Sequence, residues 1–172
     1  LVALAVSHFG GLDIAFNNAG IGGDVAPLEQ QSEANWRRVF EVDLLSVALA
    51  LKHQLPVMRA RGGGSIVITT SNSGIRALDG LAAYSAMKAG LMGLTRVAAL
   101  EGGPDNVRVN AIAPGLISTP AANRDEWAAK LRIPMGRAGR VEEIGEVAAF
   151  LASDAASYLS GQIISVDGAA TV

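Results

Sequence analysis

The chain has 172 residues, half of them hydrophobic, a formal net charge of −2 and no cysteine. That length and apolar content suffice for one sizeable core, and the lack of a basic surplus argues against nucleic acid or an anionic membrane surface as the main partner. Disulfides and thiolate chemistry are excluded, and His8 and His53 stand in no metal-ligand spacing, so no metal is expected. No stretch reads as a membrane span or a signal peptide, and the expectation is a cytoplasmic protein working on a small molecule.

The first residues, Leu1 to Phe9, read as the end of an amphipathic helix stopped by Gly10 and Gly11. Leu12 to Phe16 is a short apolar run suited to a buried parallel strand, with Asn17, Asn18, Ala19 and Gly20 at its C-terminal end. In open α/β sheets that end is where ligands bind. Ser32 and Asn35 precede a long helix, Trp36 to Met58, whose apolar residues recur at helical spacing and which Pro56 is expected to bend or end. Ser65 to Thr70 is β-branched and predicts a second buried strand, followed by Ser71; a helix from about Ala82 to Leu100 comes next. Val107 to Ile112 predicts a third strand, opening onto Ala113, Pro114 and Gly115. A short helix over Ala121 to Leu131, with Arg124, Asp125, Glu126 and Lys130 as its solvated face, sits in a connection long enough to be a substrate lid. A last helix, Val141 to Ser153, and a last strand, Gly161 to Val166, close the pattern. Strand alternates with helix throughout, which predicts an α/β fold with a parallel sheet, without repeat or linker.

The chemistry concentrates between Ser71 and Lys88. Ser71 places a hydroxyl at a strand's C-terminal edge, and Tyr84 and Lys88, four residues apart, share one face of the following helix. A phenol ionises near pH ~10, so proton transfer closer to neutrality needs a neighbour that stabilises phenolate; an ammonium one turn away would do so.

Taken together, N-N-A-G after the first strand, Ser71 with Tyr84-x-x-x-Lys88, and V-R-V-N-A-I-A-P-G-L-I-S-T-P resemble the short-chain dehydrogenase/reductase family, as does the ending from Pro134 to Gly168. The resemblance extends over essentially the whole chain. It implies a Rossmann-like doubly wound parallel sheet, NAD or NADP as cofactor, an alcohol or ketone as substrate, and a homodimer or homotetramer. It further implies that Tyr84 is the general acid/base, that Ser71 hydrogen-bonds the reacting oxygen, and that Lys88 lowers the tyrosine pKa and holds the nicotinamide ribose. Pro114, Gly115, Ile117 and Thr119 would hold the nicotinamide end, and Asn17, Ala19 and Gly20 the adenosine side.

Two departures stand out. Where the family has asparagine in a V-N-L context, this chain has Val42-Asp43-Leu44, and a carboxylate there is expected to raise the Lys88 pKa and weaken its help to Tyr84. The chain also has no G-x-x-x-G-x-G turn, so residues 1–172 are expected to be the C-terminal part of a single NAD(P)-binding domain, lacking the first strands and the glycine-rich turn. Two alternatives follow: a fragment or non-catalytic relative serving as a binding or assembly module, or an enzyme that epimerises or dehydrates sugars, as extended relatives do. The latter carry a longer C-terminal substrate domain than this chain has after Val166.

Overall fold

A computed structural model describes residues 1–120 and 124–172. The order of the main elements is α1 (Val2–Phe9), β1 (Ile14–Asn17), α2 (Glu33–Val39), α3 (Ser46–Ala60), β2 (Gly64–Thr69), α4 (Ala82–Gly102), β3 (Val107–Pro114), β4 (Ile117–Ser118), α5 (Asp125–Lys130), β5 (Gly139–Arg140), α6 (Val141–Ala152) and β6 (Ile163–Val166). Strands β1, β2, β3 and β6 form one parallel sheet in that spatial order, with Phe16 opposite Val67, Val67 opposite Asn110 and Ile112 opposite Ile164.

Alternation along the central strands assigns the two faces. Ile66 and Ile68 of β2 and Val107, Val109 and Ala111 of β3 pack with Val47, Leu51 and Met58 of α3 and Leu91 of α4. Val67 and Ile112 point the other way, onto Leu151 of α6 and Ala156. Buried on both faces, these strands are largely apolar, and the buried Asn110 of β3 has its side chain satisfied by the Leu159 carbonyl and the Gln162 N–H. Helices on both sides of a parallel sheet give the expected Rossmann-like class.

Four local expectations change. Strand β1 is a sheet edge rather than a buried strand: Ala15 is covered, but Ile14 and Phe16 stand about half exposed. Pro56 does not end its helix, which continues to Ala60; Gln54, Leu55 and Met58 are buried on either side of it, and tertiary packing outweighs the local penalty. Between α2 and α3 the chain forms a π-helical turn, Phe40–Leu45, which was not expected. The predicted helix over Ala121 to Leu131 is α5, Asp125–Lys130, and the first part of that prediction lies outside the described residues. No helix among the described residues is long and apolar enough to cross a membrane.

Candidate active site

A cleft of about 630 Å³ opens at the C-terminal ends of β1, β2 and β3. Its walls come from four connections: the loop after β1 with Asn18 and Gly20, the turn after β2 with Ser71, the face of α4 with Tyr84 and Lys88, and Pro114–Gly115 after β3. All four lie at the sheet edge where parallel strands hand over to loops, the usual ligand-binding position of such folds.

Ser71 is buried at the start of a tight helical turn, Asn72–Gly74. Its hydroxyl oxygen accepts the Ser73 N–H at 3.1 Å and lies 3.2 Å from the Ser73 hydroxyl. The turn is pressed on α4: a Cβ added at Gly74 would meet the Ala89 nitrogen and the Lys88 carbonyl carbon at 2.8 Å. That close approach brings Ser71 beside Tyr84 one turn up the helix.

Lys88 is almost fully buried, and its Nζ donates to the Thr69 carbonyl at 3.2 Å and stands 5.5 Å from the centre of the Tyr84 ring. It also faces Asp43 Oδ2 at 3.4 Å. Asp43 is fully buried in the π turn, a local widening that recurs at functional sites. Its Oδ1 accepts the Ile21 N–H at 2.8 Å, which ties the loop after β1 to the helix behind it; Oδ2 has no hydrogen bond among the described residues. Gly20 lies against this pair, since a Cβ there would stand 3.0 Å from Lys88 Nζ.

Burial and neighbouring charges act on both Tyr84 and Lys88. Burial pushes the Tyr84 phenol above its ordinary value; Ser71 and the Arg124 guanidinium pull it down, and the Asp43 carboxylate pushes it up. Burial pushes the Lys88 ammonium below its ordinary value, with the charge of Asp43 opposing. The expected upward effect of Asp43 on Lys88 is therefore present, but burial outweighs it.

Of the residues singled out from sequence, Ser71, Tyr84, Lys88, Gly20, Pro114 and Gly115 line the cleft. Asp43 lies directly behind Lys88. Asn17 does not line the cleft: its amide makes a reciprocal pair with Gln54 of α3, at 3.0 and 2.9 Å. Ala19 and Thr119 are exposed outside the lining, and Ile117 lines a separate cavity of about 100 Å³ beside Arg137 and Glu143. Asn18, named from sequence within the N-N-A-G turn but given no role of its own, lines the cleft, and its side-chain oxygen accepts the Thr69 hydroxyl at 2.8 Å. Arg124, expected on a solvated helix face, is exposed; it immediately precedes α5 and also lines the cleft, and Arg76 is a further lining residue.

A parallel sheet covered by helices on both faces, with its cleft at the C-terminal ends of the strands, defines the Rossmann-like class. Comparison with known proteins narrows the class. The family model described as enoyl-(acyl carrier protein) reductase matches residues 1–171. Cyclohexanol dehydrogenase of Acinetobacter sp. (strain SE19) is 44% identical over 99% of this chain and 68% of its own length. Cis-4-hydroxycyclohexanecarboxylate dehydrogenase of Sinomonas cyclohexanicum is 46% identical over 99% of this chain and 70% of its own. The crystal structure of levodione reductase superposes with a TM-score of 0.92 at 38% identity, over 99% of this chain and 70% of that one. The chain belongs to the short-chain dehydrogenase/reductase family, and as a member it is an NAD(P)-dependent oxidoreductase.

Proposed function

We propose that the protein interconverts a secondary alcohol and the corresponding ketone, with Tyr84 as general acid/base. One observation carries this reading: Ser71, Tyr84 and Lys88, contributed by a strand end and the helix after it, converge on a single cleft at the ligand edge of the sheet. When bound, NAD or NADP supplies or takes up a hydride at the substrate carbon. The matching proton moves at the substrate oxygen. In reduction the Tyr84 phenol donates it, and in oxidation the phenolate accepts it. The Ser71 hydroxyl donates a hydrogen bond to the same oxygen, where charge develops only as the reaction proceeds. Lys88 keeps a positive charge within one helical turn of the phenol.

The residues present fit the nicotinamide end of the cofactor. Gly20 has no Cβ above the Lys88–Asp43 pair, and Pro114 and Gly115 face the same space, so a flat ring can approach backbone from both sides. Tyr84 and Lys88 would face the cofactor there. Asn17, Ala19, Ile117 and Thr119 would act around it rather than as cleft wall, with Asn17 holding the end of β1 to α3 through Gln54.

Leu78, Leu81, Leu131 and Ile133 give the cleft an apolar portion. Together with the relative named for cyclohexanol, this favours a cyclic secondary alcohol or ketone as substrate. Incubating the purified protein with cyclohexanol and NAD⁺ or NADP⁺, and with cyclohexanone and the reduced cofactors, tests the reading by the change in nicotinamide absorbance. Cofactor turnover with one pair is expected; none with either cofactor at saturating alcohol or ketone overturns it.

A further inference from the structure

Two arginines, Arg76 and Arg124, line the cleft together with Ser71, Tyr84 and Lys88. Arg76 lies just beyond the Ser71 turn, and its Nη1 donates to the Ala170 carbonyl at 3.1 Å, which holds the guanidinium at the rim. Arg124 enters from the connection after β4, its backbone N–H held by the Ser118 hydroxyl oxygen, and lines the same cleft as Tyr84. Neither guanidinium forms an ion pair among the described residues. Asp79 is the one cleft-lining carboxylate among those residues, and Lys88 is already matched by Asp43. The wall therefore carries a positive surplus beside the apolar side chains of Leu78, Leu81, Leu131 and Ile133.

Resting on the function proposed above, we infer that the cleft selects substrates bearing a carboxylate: the alcohol or ketone oxygen at Tyr84, an apolar ring against the leucines, and the carboxylate held by Arg124 and Arg76. The guanidinium fork matches a carboxylate with two parallel hydrogen bonds, and those bonds gain strength beside apolar surface. Cofactor phosphates offer guanidinium groups the same chemistry. Arg76 and Arg124 share one cleft with Tyr84 and the leucines, which favours the substrate as the anion they meet, and the experiment below separates the two sources.

The test compares binding of cyclohexanecarboxylate with that of its neutral isostere cyclohexanecarboxamide, by titration calorimetry on the purified protein. The carboxylate is expected to bind about tenfold tighter or better. The preference should shrink at high salt and fall towards unity in the R76Q/R124Q variant, whose folding is checked by circular dichroism. Equal binding of the two probes, no binding of the carboxylate, or a preference that survives in the double variant overturns the inference. A double variant that loses affinity for NAD(P) while keeping the carboxylate preference shows that the arginines serve the cofactor, and overturns it equally. Turnover of neutral cyclohexanol by the wild-type protein is read separately: its absence counts against the proposed reaction, whereas its presence with no carboxylate preference counts against this inference alone.

Discussion

Asp43 and Lys88 face each other at 3.4 Å with 0% and 3% of their side chains exposed, one from a π turn and the other from the helix that carries Tyr84. The pair sets a buried carboxylate against the ammonium that stands 5.5 Å from the centre of the Tyr84 ring. It also fastens the loop after β1, because Asp43 Oδ1 holds the Ile21 N–H.

Removing the carboxylate separates these roles. Asp43→Ala leaves a buried ammonium without its counter-charge and a backbone N–H without its acceptor, at a cost of about 3–5 kcal/mol in urea unfolding. Asp43→Asn keeps an acceptor for Ile21 and is expected to cost less. Without the carboxylate, burial acts on Lys88 unopposed and lowers its pKa further. The Lys88 pKa in the folded protein lies below its ordinary 10.5, so between the two values the unfolded chain binds more protons and stability rises with pH. The Asp43→Asn variant should show a steeper rise over that alkaline window than the wild type, apart from any rise due to other groups common to both. Equal losses in both variants with parallel pH profiles would contradict the role assigned to the pair.

Gly74 is expected to matter without touching substrate. Its Cα lies so close to α4 that a methyl group would meet backbone atoms of Lys88 and Ala89, which cannot swing aside as a flexible side chain would. Gly74→Ala should push the Ser71 turn off the helix and cost about 1–3 kcal/mol as an overpacking change. The prediction for kinetics is a fall in kcat with both Ser71 and Tyr84 intact. Wild-type stability and wild-type kcat in this variant would show that the contact is not needed.

Acid sensitivity should centre on Glu143. Its carboxylate accepts two hydrogen bonds from Arg137, at 2.7 and 2.8 Å, and the Arg140 N–H at 2.8 Å, joining β5 to the first turn of α6. The Arg137 hydrogen bonds, then the Arg140 N–H, hold its pKa at about 2, below the ordinary 4.5. Because the folded value is depressed, its contribution to stability is present above pH 4.5 and is lost as pH falls through about 2. Thermal unfolding from pH 6 down to pH 2 should show a shallower acid limb in Glu143→Gln than in the wild type, with the variant less stable at neutral pH. Parallel acid limbs would remove Glu143 from the account.

Much of this was legible in the sequence because it is local. β-branched runs, helical spacing and the small residues after each strand mark where chain and cleft meet, and Tyr84 and Lys88 share a helix face by arithmetic alone. What escaped depends on partners far along the chain. The π turn adds its bulge without disturbing the apolar spacing around it, so the helix from Glu33 to Ala60 reads as regular. The rise in the Tyr84 pKa follows from burial and from a carboxylate on another helix, neither of which a four-residue spacing reveals. Asn17 reads as a loop residue at a ligand edge, yet its amide is committed to Gln54. Strands β4 and β5 are two residues each, too short to leave a pattern, and their pairing of Ile117 with Gly139 accounts for Ile117 standing outside the cleft.

The most direct test of Tyr84 as general acid/base is the pH dependence of kcat/KM for alcohol oxidation in the wild type and in Tyr84→Phe. Oxidation needs the phenolate, and the phenol of the free protein ionises above its ordinary 10.0, so the wild-type value should climb with pH across the neutral and alkaline range. Tyr84→Phe should lose about 10²- to 10⁴-fold and show no such climb, with its fold unchanged by circular dichroism. A variant that turns over within a few-fold of the wild type, with the same rise towards alkaline pH, would contradict the mechanism.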